Sequence, residues 1–281
     1  DTPLFEHHTT SLVFNDPPLH THVRRAIAGA LSPRAIAEME AGLIALVDRL
    51  LDALECKGQE KGQVDLIEDF ASAIPVEIIG NLLGVPHEER EPLRGWSLAI
   101  LGALEPVLTD AQLKTGNDAV REFLAYLKTL TDNRRKHPGD PDKDVLTRLI
   151  MGEHEGRRLT ETELLQNCIF ILNAGHETTT NLIGNALHTL LQWPEQKARL
   201  MRDPSLMRSA VEEVLRFESS NQLGNRRVVA DTVLGGVPMK EGDLITICIG
   251  GANRDPKYFP NPDRFDVARN PNRHLAFASG I

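Results

Sequence analysis

Aromatic side chains are scarce, 5% of 281 residues with two tryptophans and two tyrosines, which argues against a sandwich or barrel built on aromatic and β-branched strands. Abundant Ala, Leu and Glu predict helix instead. Basic charge is also short: 31 Lys and Arg face 40 Asp and Glu, a net charge of -9, which weighs against nucleic acid as a main partner. The cluster Arg134-Arg135-Lys136 reads as the solvated end of a helix. Three cysteines, Cys56, Cys168 and Cys248, are odd in number and lack CxxC spacing, so neither a disulfide framework nor a zinc ribbon is indicated. A reducing cytoplasm fits, with all three as packing residues. No uncharged apolar run is long enough to cross a bilayer, and the first residues lack the layout of a signal peptide, so a soluble protein without a membrane partner is expected.

The length allows one large domain or two modest ones. Asp16-Pro17-Pro18 places a capping carboxylate before a helix over residues 20–31. Ser32-Pro33 restarts a helix whose apolar face, Ile36, Met39, Leu43, Leu46, Val47, Leu50 and Leu54, is expected in the core. Further helices are predicted over 66–83, 87–104 and 109–136. Thr160-x-x-Glu163 is a capping box opening a long, mostly apolar helix that ends at Trp193-Pro194 and belongs in the middle of the protein. After a helix over 205–217, short β-branched runs at 226–229, 232–234 and 244–249 alternate with turns at Gly235-Gly236 and Glu241-Gly242-Asp243. From Gly250 the chain is rich in Asn, Pro, Asp and Arg, with little periodicity.

Within the long helix lies Ala174-Gly175-His176-Glu177-Thr178-Thr179. A buried helical glycine costs about 1 kcal/mol relative to alanine, and a buried acid costs more unless hydrated or paired. One offset is a ligand against the helix, approached at Gly175, with Glu177 and Thr178 handling protons and water; the other reading is a polar break facing solvent. A zinc hydrolase pattern H-E-x-x-H is excluded because Thr180 stands where the second histidine is required. Glu213 and Arg216, three apart, share one helix face. Alone they make a common surface pair, but the apolar neighbours Ala210, Val211, Val214, Leu215 and Phe217 suggest a place against the core.

Three further stretches, Asn253-Arg254-Asp255-Pro256, then residues 259–266 (FPNPDRFD), then His274-Leu275-Ala276-Phe277, follow the β-rich part in that order. With the helix motif, the Glu213/Arg216 pair and Asp16-Pro17-Pro18-Leu19-His20-Thr21-His22-Val23-Arg24-Arg25, the chain resembles the soluble, bacterial-type cytochrome P450 family. That family shows D-P-P-x-H-x-x-x-R, A-G-x-[D/E]-T-T, E-x-x-R, an N-R-D-P and P-x-R-F meander, and F-G-x-G-x-H-x-C-x-G at the haem.

The resemblance implies a mainly α fold with small β-sheets around a long central helix, here a single partial P450 domain over 1–281, incomplete at both ends. It implies a haem b monooxygenase (EC 1.14 type) that hydroxylates a small or medium apolar substrate with dioxygen and two electrons from a ferredoxin-type donor. His20, Arg24, Arg226 and His274 would hold the haem propionates, with Phe277 beside the cofactor. Gly175, Glu177 and Thr178 would line the oxygen groove and deliver protons. Glu213, Arg216 and Arg264 would form a structural ion network, and Asn173, Ala174 and Asn221 are candidate substrate contacts. Ser219-Ser220-Asn221 stands where relatives often carry Pro-Val, and Ala278 replaces the signature's first glycine. The signature runs Phe277-Ala278-Ser279-Gly280-Ile281, so the metal-ligating cysteine is expected beyond Ile281, leaving these 281 residues without a metal ligand and inactive alone. The alternative is a truncated, non-catalytic relative serving as a helical binding or interaction module.

Overall fold

The computed structural model describes residues 2–31, 33–104, 107–141, 144–154 and 156–278. It divides into two compact units, Asp1–Thr180 and Asn181–Ile281. The first contains α1 (Pro3–Thr10), α2 (Leu19–Ala30), α3 (Pro33–Glu38), α4 (Glu40–Lys61), α5 (Ala73–Leu83), α6 (Glu91–Leu101), α7 (Asp110–Lys136), α8 (Val145–Met151) and the short β1/β2 pair (Glu153–His154 with Arg157–Arg158). α9 (Glu161–Gln192) contributes its N-terminal part to this unit, and the boundary between units falls within it.

Local chemistry accounts for the helix starts. Thr109 and Gln112 form a reciprocal capping box that opens α7. Thr160 and Glu163 do the same for α9: the Thr160 amide donates to the Glu163 carboxylate at 2.8 Å, and the Glu163 amide donates to the Thr160 hydroxyl at 3.2 Å. At α2 the expected Asp16 cap is absent. Pro18 occupies the cap position without a side-chain bond, and the Asp16 carbonyl accepts from the His20 amide.

The core of the first unit joins Leu4, Val23, Leu83, Leu93, Ile100, Phe123, Leu127, Leu146, Ile169 and Leu172. Trp96 of α6 stacks on Phe123 of α7 with ring centroids 4.9 Å apart. The apolar face expected over 36–54 is only partly core: Leu46 is buried, Ile36 is exposed, and the rest of that face is intermediate. The helix there breaks at Met39, and part of its face lines an open cavity of ≈ 320 Å³ with Glu77, His87 and Arg90 instead of packing fully.

In the second unit α10 (Pro194–Arg202) and α11 (Met207–Phe217) pack with Leu182, Ala186 and Leu190 of α9 around Phe265 and Val267. β3 (Leu223–Arg227), β4 (Thr232–Leu234), β5 (Val237–Met239) and β6 (Leu244–Cys248) form two antiparallel pairs, β3 with β6 and β4 with β5. Gly235 and Gly236, at φ 59° and 82°, supply the left-handed turn that closes β4 onto β5. α12 (Ile249–Ala252) then leads into the irregular segment from Asn253. Among the described residues no helix is long and apolar enough to cross a membrane.

Candidate functional site

On α9 the motif splits between two faces. Asn173, His176 and Thr180 are buried, whereas Ala174 is exposed and Gly175, Glu177 and Thr178 are intermediate. Asn173 and Ala174, adjacent on the helix, point about 100° apart, one buried and one exposed. The Thr178 hydroxyl donates to the Ala174 carbonyl at 2.7 Å, and that of Thr180 to the His176 carbonyl at 3.0 Å.

At Gly175 a Cβ would lie 2.5 Å from Cδ1 of Ile79, so a side chain there would require Ile79 to shift. Glu177 is not fully buried, so the penalty attributed to a buried acid does not arise.

In α2, His20 has its Nδ1 buried without a hydrogen-bond partner. Arg24, one turn on, is exposed and makes no ion pair among the described residues. In the second unit Arg226 is exposed on β3 and spends one N–H on the Asn225 carbonyl at 2.8 Å. His274 is different. Its Nδ1 accepts from the Ala276 amide at 3.2 Å, so Nε2 carries the proton and donates to the Glu212 carboxylate at 2.9 Å. Both ring nitrogens are engaged, and His274 offers no free donor to a propionate in this arrangement. Phe277, with its ring centroid 6.0 Å from that of His274, is 79% exposed. Asn221 is exposed as well.

Glu213 and Arg216 are both fully buried and joined by two bonds, Nε to Oε2 at 2.8 Å and Nη2 to Oε1 at 2.9 Å. Arg216 also donates to the carbonyls of Asn253, Pro262 and Arg264. The third member of this network is Arg269, whose Nε reaches both Glu213 oxygens at 3.0 and 2.9 Å. Arg264 is exposed and contributes only its carbonyl, which corrects the expectation for its side chain. We expect Arg269→Ala to lower stability by about 2 kcal/mol and Arg264→Ala by less than about 0.5 kcal/mol, as urea midpoints would show. Equal losses would return the role to Arg264.

Asn253 and Arg254 are scaffold residues that the sequence motif flagged without assigning a task. Asn253, fully buried, donates to Ser219 Oγ at 3.0 Å and accepts from the Leu275 amide at 2.7 Å. Arg254 lies 3.6 Å from the centroid of the Phe217 ring and bonds the Phe217 carbonyl at 2.8 Å. Together they tie the irregular segment to the end of α11. Ala278 closes the described chain at φ 58°, the left-handed region that favours the glycine it replaces. Residues 279–281 of the signature lie outside the described residues.

The cysteines divide by burial. Cys168 is buried, and desolvation pushes its thiol up to about 12. Cys56 and Cys248 are exposed, contrary to the packing role expected for them.

The family model for cytochrome P450 matches residues 1–276. The chain belongs to the cytochrome P450 family. It is 38% identical over 269 residues to the biotin biosynthesis cytochrome P450 of Bacillus subtilis, covering 96% of this chain and 66% of that protein. Cytochrome P450 107B1 of Saccharopolyspora erythraea is 39% identical, with 95% of this chain and 62% of that protein covered. The chain thus spans just under two thirds of the length of these relatives. Among solved structures, P450BioI in complex with an acyl carrier protein carrying hexadec-9Z-enoic acid superposes with a TM-score of 0.91 at 36% identity, over 99% of this chain and 70% of that one. The mainly helical P450 fold with small sheets is therefore shown for this chain. The family is one of haem proteins, and the donors present can be compared with that group. His20, Arg24 and Arg226 offer N–H groups suited to carboxylates. Among the described residues the fit lacks a thiolate: Cys168 is held as a thiol, and neither Cys56 nor Cys248 lies in the haem signature.

Proposed function

We propose that this chain forms the proton-delivering and propionate-binding part of a haem monooxygenase that hydroxylates a small or medium apolar molecule with dioxygen and two electrons. The observation that carries the reading is the buried, unpartnered Nδ1 of His20, four residues before the exposed guanidinium of Arg24 on one helix. A carboxylate satisfies both, and the buried nitrogen otherwise costs about 1–3 kcal/mol. Haem b, when bound, supplies the redox and oxygen chemistry.

The chain's own groups then have separate tasks. His20 and Arg24 in the first unit, and Arg226 in the second, each offer N–H groups to a carboxylate, and His274 would do so only by releasing Glu212. Thr178, its rotamer fixed on the Ala174 carbonyl, and the half-exposed Glu177 pass protons from water to the face that carries Ala174. Glu213, Arg216 and Arg269 hold the irregular segment without touching the reaction. None of the three cysteines present lies in the haem-binding signature, so none is assigned as the thiolate ligand that such a haem would use. A ferredoxin-type protein delivers the electrons. An apolar substrate class is supported by a relative named vitamin D(3) 25-hydroxylase from Pseudonocardia autotrophica, 35% identical, and by CYP109E1, a structural neighbour solved with testosterone.

Reduction of the intact protein under carbon monoxide tests the reading: the absorption band of a thiolate-ligated haem is expected, and its absence overturns the proposal. In the same protein Thr178→Ala should keep haem but divert reducing equivalents from product to peroxide. Unchanged coupling would remove Thr178 from proton delivery.

A further inference from the structure

Three buried polar atoms of the first unit lack a protein partner: Arg94 Nε on α6, and Asn173 Oδ1 and His176 Nε2 on α9. Arg94 and Ser97 lie three apart on α6, and Asn173 and His176 lie three apart on α9, so each helix presents one polar pair on one face. The two faces touch, since His176 Nδ1 is 3.2 Å from the hydroxyl of the fully buried Ser97. Asn173 and His176 are 7% and 2% exposed, which leaves their orphan atoms no bulk water to use. Leaving the two α9 atoms unpaired is costly, and protein interiors meet that condition with a bound water making about three hydrogen bonds.

The chemistry of the three atoms selects the occupant. The Arg94 charge is already balanced by a bidentate pair with Glu68 at 2.7 and 2.7 Å, so an anion gains little there and would meet the carboxamide oxygen of Asn173. A cation is opposed by the same guanidinium; burial first, and the Arg94 charge after it, hold the His176 imidazole below its usual pKa. A neutral molecule that accepts one hydrogen bond and donates two fits all three atoms.

We propose that α6 and α9 enclose a single bound water that accepts from Arg94 Nε and donates to Asn173 Oδ1 and His176 Nε2. It follows that His176 is the tautomer protonated at Nδ1, donating to Ser97. The site sits on the face of α9 turned away from Ala174 and Thr178. It makes His176 and Asn173 positioning residues for that segment, and it does not depend on the haem reading.

A crystal structure of the intact protein tests the site without any variant. A water peak within hydrogen-bonding distance of all three atoms is expected, and direct pairing of Arg94 with Asn173, or a side chain filling the space, overturns it. Nitrogen-15 chemical shifts of labelled histidine read the tautomer: a protonated Nε2 on His176 would refute the assignment. A double-mutant cycle on Asn173→Leu and His176→Phe adds an energetic readout. Through a shared water, their effects on the unfolding equilibrium constant should be coupled by about fivefold or more, whereas independent effects count against a common ligand.

Discussion

Glu213→Ala is expected to cost about 3–5 kcal/mol, enough to consume much of a typical domain's stability. Glu213 is fully buried and accepts from Arg216, Arg269, the amide of Asp266 and the side chain of Asn272. Its removal leaves the Arg216 guanidinium, itself 0% exposed, as an uncompensated charge in the interior. The carbonyls of Asn253, Pro262 and Arg264 still bond that guanidinium but bring no countercharge. Because Arg216 links α11 to the irregular segment at three points, the loss should loosen 253–272 and not α11 alone. Glu213→Gln keeps the shape and one acceptor oxygen, so it should recover part of the loss. Urea midpoints of the two variants measure the difference, and a change below about 1 kcal/mol for Glu213→Ala would show that the cluster is not organised by this carboxylate.

The features that could be read from the sequence are those whose causes are local. The Thr160/Glu163 box, the long apolar run behind it and the Gly235-Gly236 turn each carry their own stereochemistry within a few residues, and α9 and the β4/β5 pair follow. α1 was missed because its eight residues are poor in apolar periodicity; long-range bonds hold it, Leu4 N–H to Asn117 and His7 to Gln166. The split of α3 from α4 at Met39 likewise depends on surroundings that no heptad count contains.

The same distinction runs through the candidate site. His20 with Arg24 and Glu213 with Arg216 are one helical turn apart, so their association is visible as spacing. Arg269 lies 56 residues from Glu213, and the P-x-R-F pattern drew attention to Arg264 instead. Gly175 stands out in the sequence as a glycine within a helix, but its neighbour Ile79 lies nearly a hundred residues earlier, where no motif points to it.

Acid should weaken the first unit through His7, and this effect can be separated from the general acid lability of carboxylates. His7 is 3% exposed, with Nδ1 bonded to Gln166 at 3.0 Å, and burial lowers its pKa from 6.5 to about 4; the Gln166 bond raises it slightly, and neighbouring His8 lowers it further. A group that is neutral when folded but protonates at 6.5 when unfolded gives the unfolded chain the greater proton uptake between pH 6.5 and about 4. Stability from this residue is therefore full above pH 6.5, declines as pH falls through that interval, and is gone below about pH 4, a total of about 3 kcal/mol. His8 and His176, both with lowered pKa values from burial, act in the same direction. His7→Gln removes one titration while leaving the carboxylates, His8 and His176 in place. Its urea midpoint should start lower than the wild type at pH 7 and fall less between pH 7 and 4.5. Parallel midpoint curves would mean that α1 detaches before His7 has to accept a proton, since a histidine already in water at the start of the transition contributes no linkage.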